Sequence, residues 1–338
     1  MSSTSRIIVV GGTGLLGYHA SLEFLRRGYL VTSLAIDDID LEGWYPKEIT
    51  TVTGDVFSMT KDELKAQFEG FYAMVYAVGP DDRTIPDAPA YLFFRKRLVV
   101  AAARVFEAAR EAGVKRAVLL GSYLNYFNRQ WPQLQLTQRH PYIKARAEQS
   151  EAVLLASGDE METMVLELPY IFGTMPKRTP LWKDAFFDRL LKMNPVLYPD
   201  GGSSMVCAGN VAEAIAGAVE LGEKGTMYAI GDQNMRWSEL FSIMFHAIGV
   251  NRRLIHIPHW MAGIAGRFIM WRERRNDREP GLNLAYIFDD IISREYYLDG
   301  AQSAALLGHG SCDVRAAIVK TAKACYPDGF NRKRRNRK

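Results

Sequence analysis

Ile7-Ile8-Val9-Val10-Gly11-Gly12-Thr13-Gly14-Leu15-Leu16-Gly17 joins a short buried-strand pattern to a glycine-rich turn, and Leu22 and Leu25 continue from it at helical spacing. Each later glycine has a physical task. Gly12 permits the tight turn, Gly14 lets backbone amides approach a pyrophosphate, and Gly17 lets the new helix pack against the strand. The segment from Gly11 through Thr13 to Leu15 and Leu16 then offers the unpaired N–H groups and partial positive charge of a helix amino terminus to the phosphates. A second strand pattern, Leu30 to Ile36, follows Gly28 at the distance a βαβ unit requires. Asp37 and Asp38 stand about 20 residues beyond Gly17, where a ribose-binding carboxylate is expected.

Outward from this unit, strand and helix patterns alternate. Ile49 to Thr53 precedes Gly54-Asp55, Ala73 to Val78 precedes Gly79-Pro80, and Ala117 to Leu120 precedes Gly121-Ser122. A helical stretch from about Tyr91 to Ala112 is closed by Gly113 in the C-cap position. Met164 to Leu168 reads as a sixth strand ended by Pro169, and Met227 to Ile230 finishes the sheet after a helix from Val211 to Leu221. This order predicts an α/β fold: a Rossmann-type, doubly wound parallel sheet with ligands at the strand carboxyl ends and a smaller C-terminal substrate-binding lobe. The expected division is 1–175 for the dinucleotide-binding part, completed by about 206–232, and 176–205 with 233–330 for the lobe. Within the lobe, His259 to Arg275 mixes Trp260, Ile264, Phe268 and Trp271 with four arginines. We expect a helix packed on the lobe there, with an interfacial or partner-binding helix as the alternative.

With 48% hydrophobic residues, the 338-residue chain can bury a full core. No apolar run reaches the 18 or so residues of a membrane span, and the early first strand leaves no room for a signal peptide, so the cytosol is the expected compartment. Cys207, Cys312 and Cys325 are widely spaced with no CxxC pair, and read as reduced structural thiols; no metal site is expected. The net charge is +4, but Arg332, Lys333, Arg334, Arg335, Arg337 and Lys338 hold six positive charges, and removing six from +4 leaves −2 for the body. No specific nucleic-acid partner is therefore expected. The tail, 331–338, reads as a disordered solvated end, with contact to anionic surfaces as the alternative.

These motifs, taken in order, resemble the extended short-chain dehydrogenase/reductase superfamily, the NAD-dependent epimerase/dehydratase group, from about Arg6 to Ile257. Gly54-Asp55-Val56 looks like the turn whose Asp contacts adenine, and Ala77-Val78-Gly79 resembles the segment after the fourth strand. Gly113-Val114-Lys115-Arg116 leading to Gly121-Ser122 is similar to the strand that delivers the catalytic Ser, and His140-Pro141-Tyr142 opens the active-site helix. Leu168-Pro169-Tyr170-Ile171-Phe172-Gly173 looks like the proline loop beside nicotinamide, which places Pro169 and Ile171 at the cofactor. The resemblance implies hydride exchange between NAD(P) and a secondary alcohol or carbonyl, with Tyr142 moving the proton and Ser122 orienting the substrate oxygen. It also implies a small-molecule substrate and a homodimer.

Several departures matter. In the family a Lys four residues after the Tyr stabilises phenolate and binds the nicotinamide ribose; here that position is Arg146, which keeps the charge but holds its proton. The Asn of the long helix is missing, with Arg95, Lys96, Arg97 and Leu98 in that neighbourhood. Sugar dehydration is disfavoured because Ser122 is followed by Tyr123-Leu124-Asn125 rather than an acidic pair. Tyr123 and Tyr126 are candidate substrate-lining residues, with packing under the lobe as the equal alternative, and Lys177 and Arg178 are candidates for meeting a phosphate. By family alignment the ribose-reading Asp falls at Ala35, so Asp37 is the nearest candidate, and NAD is favoured over NADP because no Arg follows the second strand. The alternative to an enzyme is a catalytically silent nucleotide sensor.

Overall fold

The computed structural model describes residues 5–36 and 39–330. Asp37, Asp38 and the basic tail 331–338 lie outside the described residues. In the first half, β1 (Arg6–Val10), β2 (Leu30–Ala35), β3 (Thr50–Thr53), β4 (Ala73–Tyr76), β5 (Arg116–Ser122) and β6 (Glu162–Leu168) alternate with helices, except that β2 and β3 follow each other without one. The later strands are β7 (Tyr170–Phe172), β8 (Val196–Tyr198), β9 (Gly202–Cys207), β10 (Met227–Ala229), β11 (Gln233–Arg236), β12 (Leu254–His256) and β13 (Glu295–Tyr296).

A seven-stranded sheet has the order β10-β6-β5-β4-β1-β2-β3, with every pairing parallel. Its central strands β1 and β4 are apolar on both faces because both are covered, whereas the edge strand β3 is mostly exposed threonine. Ile7 and Val9 of β1 pack with Phe24 and the helix Ala208–Leu221, while Ile8 and Val10 face Leu64, Phe68 and Phe106 on the other side. Strand order reverses between β1 and β4, so a crevice opens at their carboxyl ends, where doubly wound sheets hold ligands. The long helix reads without interruption over 90–111, with a π-helical stretch at Arg95–Val100. Gly113 ends it with φ +87°, a left-handed turn that glycine adopts without a Cβ penalty.

Phe172, Phe187, Trp237, Phe241 and Tyr296 belong to one apolar cluster with Phe94, Leu98, Tyr142 and Ile143, so the later segments and the first half share a core. In those later segments β9 pairs with β7 and β13 in parallel and with β11 antiparallel, and β8 pairs with β12. The helix Leu15–Arg26 carries Glu23, whose carboxyl is held below the usual range by Arg26 first and Arg27 next.

The cysteine expectation is corrected. Cys207 and Cys312 form a disulfide, with Cα atoms 6.3 Å apart, while Cys325 stays free and buried. The 105-residue separation hides the pairing from local reading, since only the fold brings the end of β9 beside the segment before the helix Val314–Cys325. Burial pushes the Cys325 thiol up to about 12, which keeps it protonated and unreactive. Denatured without reductant, the protein should titrate one thiol, Cys325, and after reduction all three cysteines of the chain. Three thiols before reduction would show the bridge absent. With the bridge closed, reduction should cost roughly 2 to 5 kcal/mol of stability in denaturant melts.

Candidate active site

The glycine-rich loop divides its labour differently from the sequence reading. The tight turn falls at Gly11, with φ +90°, not at Gly12. Gly12 is required for packing, because a Cβ there would lie 2.2 Å from Ser33 Oγ, and one on Gly17 would lie 2.1 Å from Gly11 O. Only Gly14 clears the protein: its Cβ would meet nothing nearer than Gly11 O at 3.4 Å. Gly14 is the N-cap of the helix Leu15–Arg26 and no side chain caps it, so the helix amino terminus is open to an anion at that point.

A cleft of about 240 Å³ runs from this loop across the carboxyl ends of β2 and β3, lined by Thr13, Ser33, Ala35, Ile36, Asp40 and Thr53 among others. Asp40 was missed in the sequence because it falls beyond the expected spacing; Glu42 N donates to its Oδ1 at 2.9 Å. Asp55 closes a turn by accepting from Phe57 N at 2.9 Å, and Val56 is buried in the core. Across the crevice, Ala77 N donates to Val10 O, and Val78 would abut any side chain at Gly11. Gly79 takes φ +136°, a conformation for which glycine is suited. Pro169 is buried between β6 and β7, and Ile171 O accepts from Trp182 Nε1 at 2.8 Å. Arg178 Nε donates to Thr13 O at 3.1 Å, so this cation lies over the glycine loop, whereas Lys177 is exposed.

The helix Pro141–Ser157 puts Tyr142 and Arg146 on one face, one turn apart. Arg146 Nε donates to Tyr142 Oη at 2.8 Å. Its Nη1 is fixed by Leu120 O at 3.2 Å and Gln149 Oε1 at 2.8 Å, which ties the guanidinium to the end of β5. Among the described residues Nη2 makes no hydrogen bond, so two donors face outward. Ser122 ends β5, is 9% exposed, and accepts from Leu124 N at 3.3 Å as the cap of the helix Tyr123–Gln130. The helix start is anchored to the lobe. Asn283 N donates to His140 Nδ1 at 3.0 Å, so the other ring nitrogen carries the hydrogen toward Asp290, and Tyr142 N donates to Gly281 O at 2.9 Å.

Tyr142 is only 5% exposed, and burial raises its phenol pKa; Arg146 opposes the rise, while Asp82 and Asp81 reinforce it. Asp82 is the second residue that the sequence did not reveal. The loop after β4 brings it near the phenols of Tyr123, Tyr142 and Tyr170, and burial raises its own pKa. Tyr123 is buried, its Oη 2.8 Å from Ser203 Oγ, and Tyr126 packs against the shared apolar cluster. Tyr123 is thus held against β9, while Tyr126 is half-buried at the edge of that cluster.

An NAD(P)H-binding family profile matches residues 11–161. No curated protein matches the chain significantly in sequence. Solved structures similar over nearly the whole chain include gox2253 (18% identity, TM-score 0.75, 96% of this chain and 98% of that one). Another is a nucleoside-diphosphate-sugar epimerase from Pseudomonas aeruginosa (14% identity, TM-score 0.67, 97% and 99% covered). A third is the enzyme WbmG from Bordetella bronchiseptica in complex with NAD (15% identity, TM-score 0.66, 96% and 95% covered). Residues 11–161 thus match an NAD(P)H-binding family profile, and the whole chain shares the fold of these NAD-complexed and epimerase structures.

Proposed function

We propose that this protein is an NAD(P)-dependent oxidoreductase or epimerase that exchanges hydride with a secondary alcohol or carbonyl, using Tyr142 to move the proton. The observation that carries the reading is the 2.8 Å hydrogen bond from Arg146 Nε to Tyr142 Oη beside the end of β5. By donating to the phenol oxygen, Arg146 leaves the phenol hydrogen free to be given to a substrate oxygen, and its charge supports the phenolate that results. Bound NAD(P) supplies the hydride donor and acceptor. The glycine loop, the open helix end at Gly14 and Arg178 are the groups that suit its pyrophosphate, and Arg146 Nη2 suits a ribose hydroxyl. Asp40 in the cleft at the carboxyl ends of β2 and β3, with the carboxylates at 37 and 38 in sequence, favours NAD, since a 2′-phosphate there would meet negative charge.

The silent-sensor reading draws on one observation: burial holds the Tyr142 phenol above its ordinary pKa, and Gly281 packs against it. A single experiment separates the two. Purified protein is titrated with NAD and NADP by calorimetry, then assayed with a panel of alcohols, ketones and nucleotide sugars, following nicotinamide absorbance and, for epimers, product chromatography. UDP-glucose belongs in the panel because a similar structure, MoeE5, was solved with UDP-glucose and NAD. Binding with turnover of any member supports the enzyme, binding with no turnover across the panel replaces it by the sensor, and no binding removes both.

A further inference from the structure

The helix His259–Arg275 turns the wrong face outward for a member of a closed core. Its buried residues are Ala262, Gly263, Gly266, Met270 and Glu273. Gly266 explains the choice, because a Cβ there would lie 2.1 Å from Leu284 O, so the helix sits down on its smallest residues. On the opposite side Trp260 is 58% exposed, Ile264 56%, Phe268 64% and Trp271 50%. Positions 260, 264, 268 and 271 follow helical spacing and form one stripe along the axis. Arg267 and Arg274 flank it on one side and Arg272 on the other, and all are exposed. The one carboxylate of the helix, Glu273, is buried and paired with Arg272, so the exposed face carries cations only. Among the described residues neither Arg267 nor Arg274 forms an ion pair. Arg275 stacks over Trp271 at 4.5 Å, and Phe268 stacks on the same ring.

We propose that this helix docks the protein on an anionic lipid bilayer, with Trp260, Ile264, Phe268 and Trp271 entering the headgroup–acyl boundary and Arg267 and Arg274 meeting lipid phosphates. A shallow apolar stripe edged by long cationic side chains is the form of a helix that lies in the interface plane, with tryptophans at the polar boundary. The helix, at 17 residues, is about 25 Å long and offers a stripe about 10 Å wide. That is roughly 250 Å², well below the roughly 800 Å² per partner of a stable protein interface. A second copy would also bring cation against cation, whereas phosphatidylserine complements the charge. The helix does not span: no helix among the described residues is long and apolar enough to cross a membrane. Its C-terminal end leads directly into the segment whose Gly281 O holds Tyr142 N, so docking would set the bilayer beside the lobe that covers the site.

The test mixes the full chain with vesicles of phosphatidylcholine alone or in equimolar mixture with phosphatidylserine, reading co-sedimentation and quenching of tryptophan fluorescence by brominated acyl chains. We expect co-sedimentation with the anionic vesicles, weaker with the neutral ones, and quenching. Trp260→Ser/Phe268→Ser/Trp271→Ser should lower the partition coefficient at least about tenfold at unchanged circular dichroism and melting temperature. Arg267→Glu/Arg274→Glu should remove the preference for the anionic vesicles. Trp260→Phe/Trp271→Phe should still sediment but lose most quenching, which locates the signal in this helix. Absence of co-sedimentation, or wild-type partition by the triple serine variant, overturns the proposal. So does a triple variant that turns a dimer into a monomer in size exclusion while neither form binds vesicles, which assigns the face to a second copy.

Discussion

Tyr142→Phe should lower turnover on any accepted substrate by about 10² to 10⁴-fold while leaving dinucleotide affinity nearly unchanged. The substitution removes one oxygen that moves a proton and accepts from Arg146 Nε, yet it keeps the ring packed edge-on against Phe94 and beside Gly281. The expected selectivity therefore has a geometric basis, and wild-type turnover in this variant would eliminate the tyrosine mechanism. The pH profile carries the sign of each neighbour. In alcohol oxidation the phenolate is the active form, so turnover rises with pH through the phenol pKa. That pKa stands above its ordinary value because burial outweighs the Arg146 charge, and Asp82 and Asp81 push it further up.

Arg146→Ala removes the opposing charge, so the rising limb should move to higher pH. A charged hydrogen bond is worth about 1.5 to 3 kcal/mol, or roughly 10 to 150-fold, and turnover below the limb should fall accordingly. Asp82→Asn removes a reinforcing charge and should move the limb to lower pH, the opposite direction from the same starting point. Arg146→Lys restores the family pair but replaces a fork by a single ammonium. It cannot hold Tyr142 Oη, Leu120 O and Gln149 Oε1 with the same geometry, so a shifted limb with partial turnover is expected. Limbs that do not respond to either charge change would show that Tyr142 is not the titrating group.

Where structure is local, its place in the chain was legible, though not every role: the tight turn falls at Gly11 rather than Gly12. The glycine loop, the first six strands and the i, i+4 relation of Tyr142 to Arg146 each depend on residues within one or two turns of each other. Contacts made between distant segments were not legible. The lobe sheet is made of strands two to six residues long, and β9 meets partners before and after it in the chain, so no periodicity announces it. Cys207 and Cys312 looked unpaired for the same reason. Asp82 carries no local signal, and only the fold brings it near Tyr142. The aromatic run at Tyr123 was ambiguous because wall and core residues share one composition; its Oη bond to Ser203, some 80 positions away, holds it against β9. The helix His259–Arg275 forms where it was expected, but which face it buries was not legible: its small residues, not its aromatics, make the close approach.

The glycine loop allows binding and folding to be separated by two single substitutions. Gly14→Val should leave the protein folded, since Gly14 has φ −87° and ψ 168°, a region that β-branched residues favour, and the first added carbon meets nothing nearer than 3.4 Å. The branches of valine would then stand at the open helix end, where a pyrophosphate would approach the backbone amides. Losing several such bonds, each about 1 to 3 kcal/mol when left unmade, should bring affinity for NAD and NADP below detection by calorimetry. Gly17→Val is the contrasting case. Its Cβ would fall 2.1 Å from Gly11 O and 2.8 Å from Gly12 Cα, and backbone on both sides leaves no flexible atom to yield. The helix Leu15–Arg26 must then lift from β1, so melting temperature should drop sharply and binding should disappear with it. Unchanged affinity in Gly14→Val would remove the helix end from the cofactor site; a collapse of its melting temperature to that of Gly17→Val would show instead that this glycine, too, serves the fold.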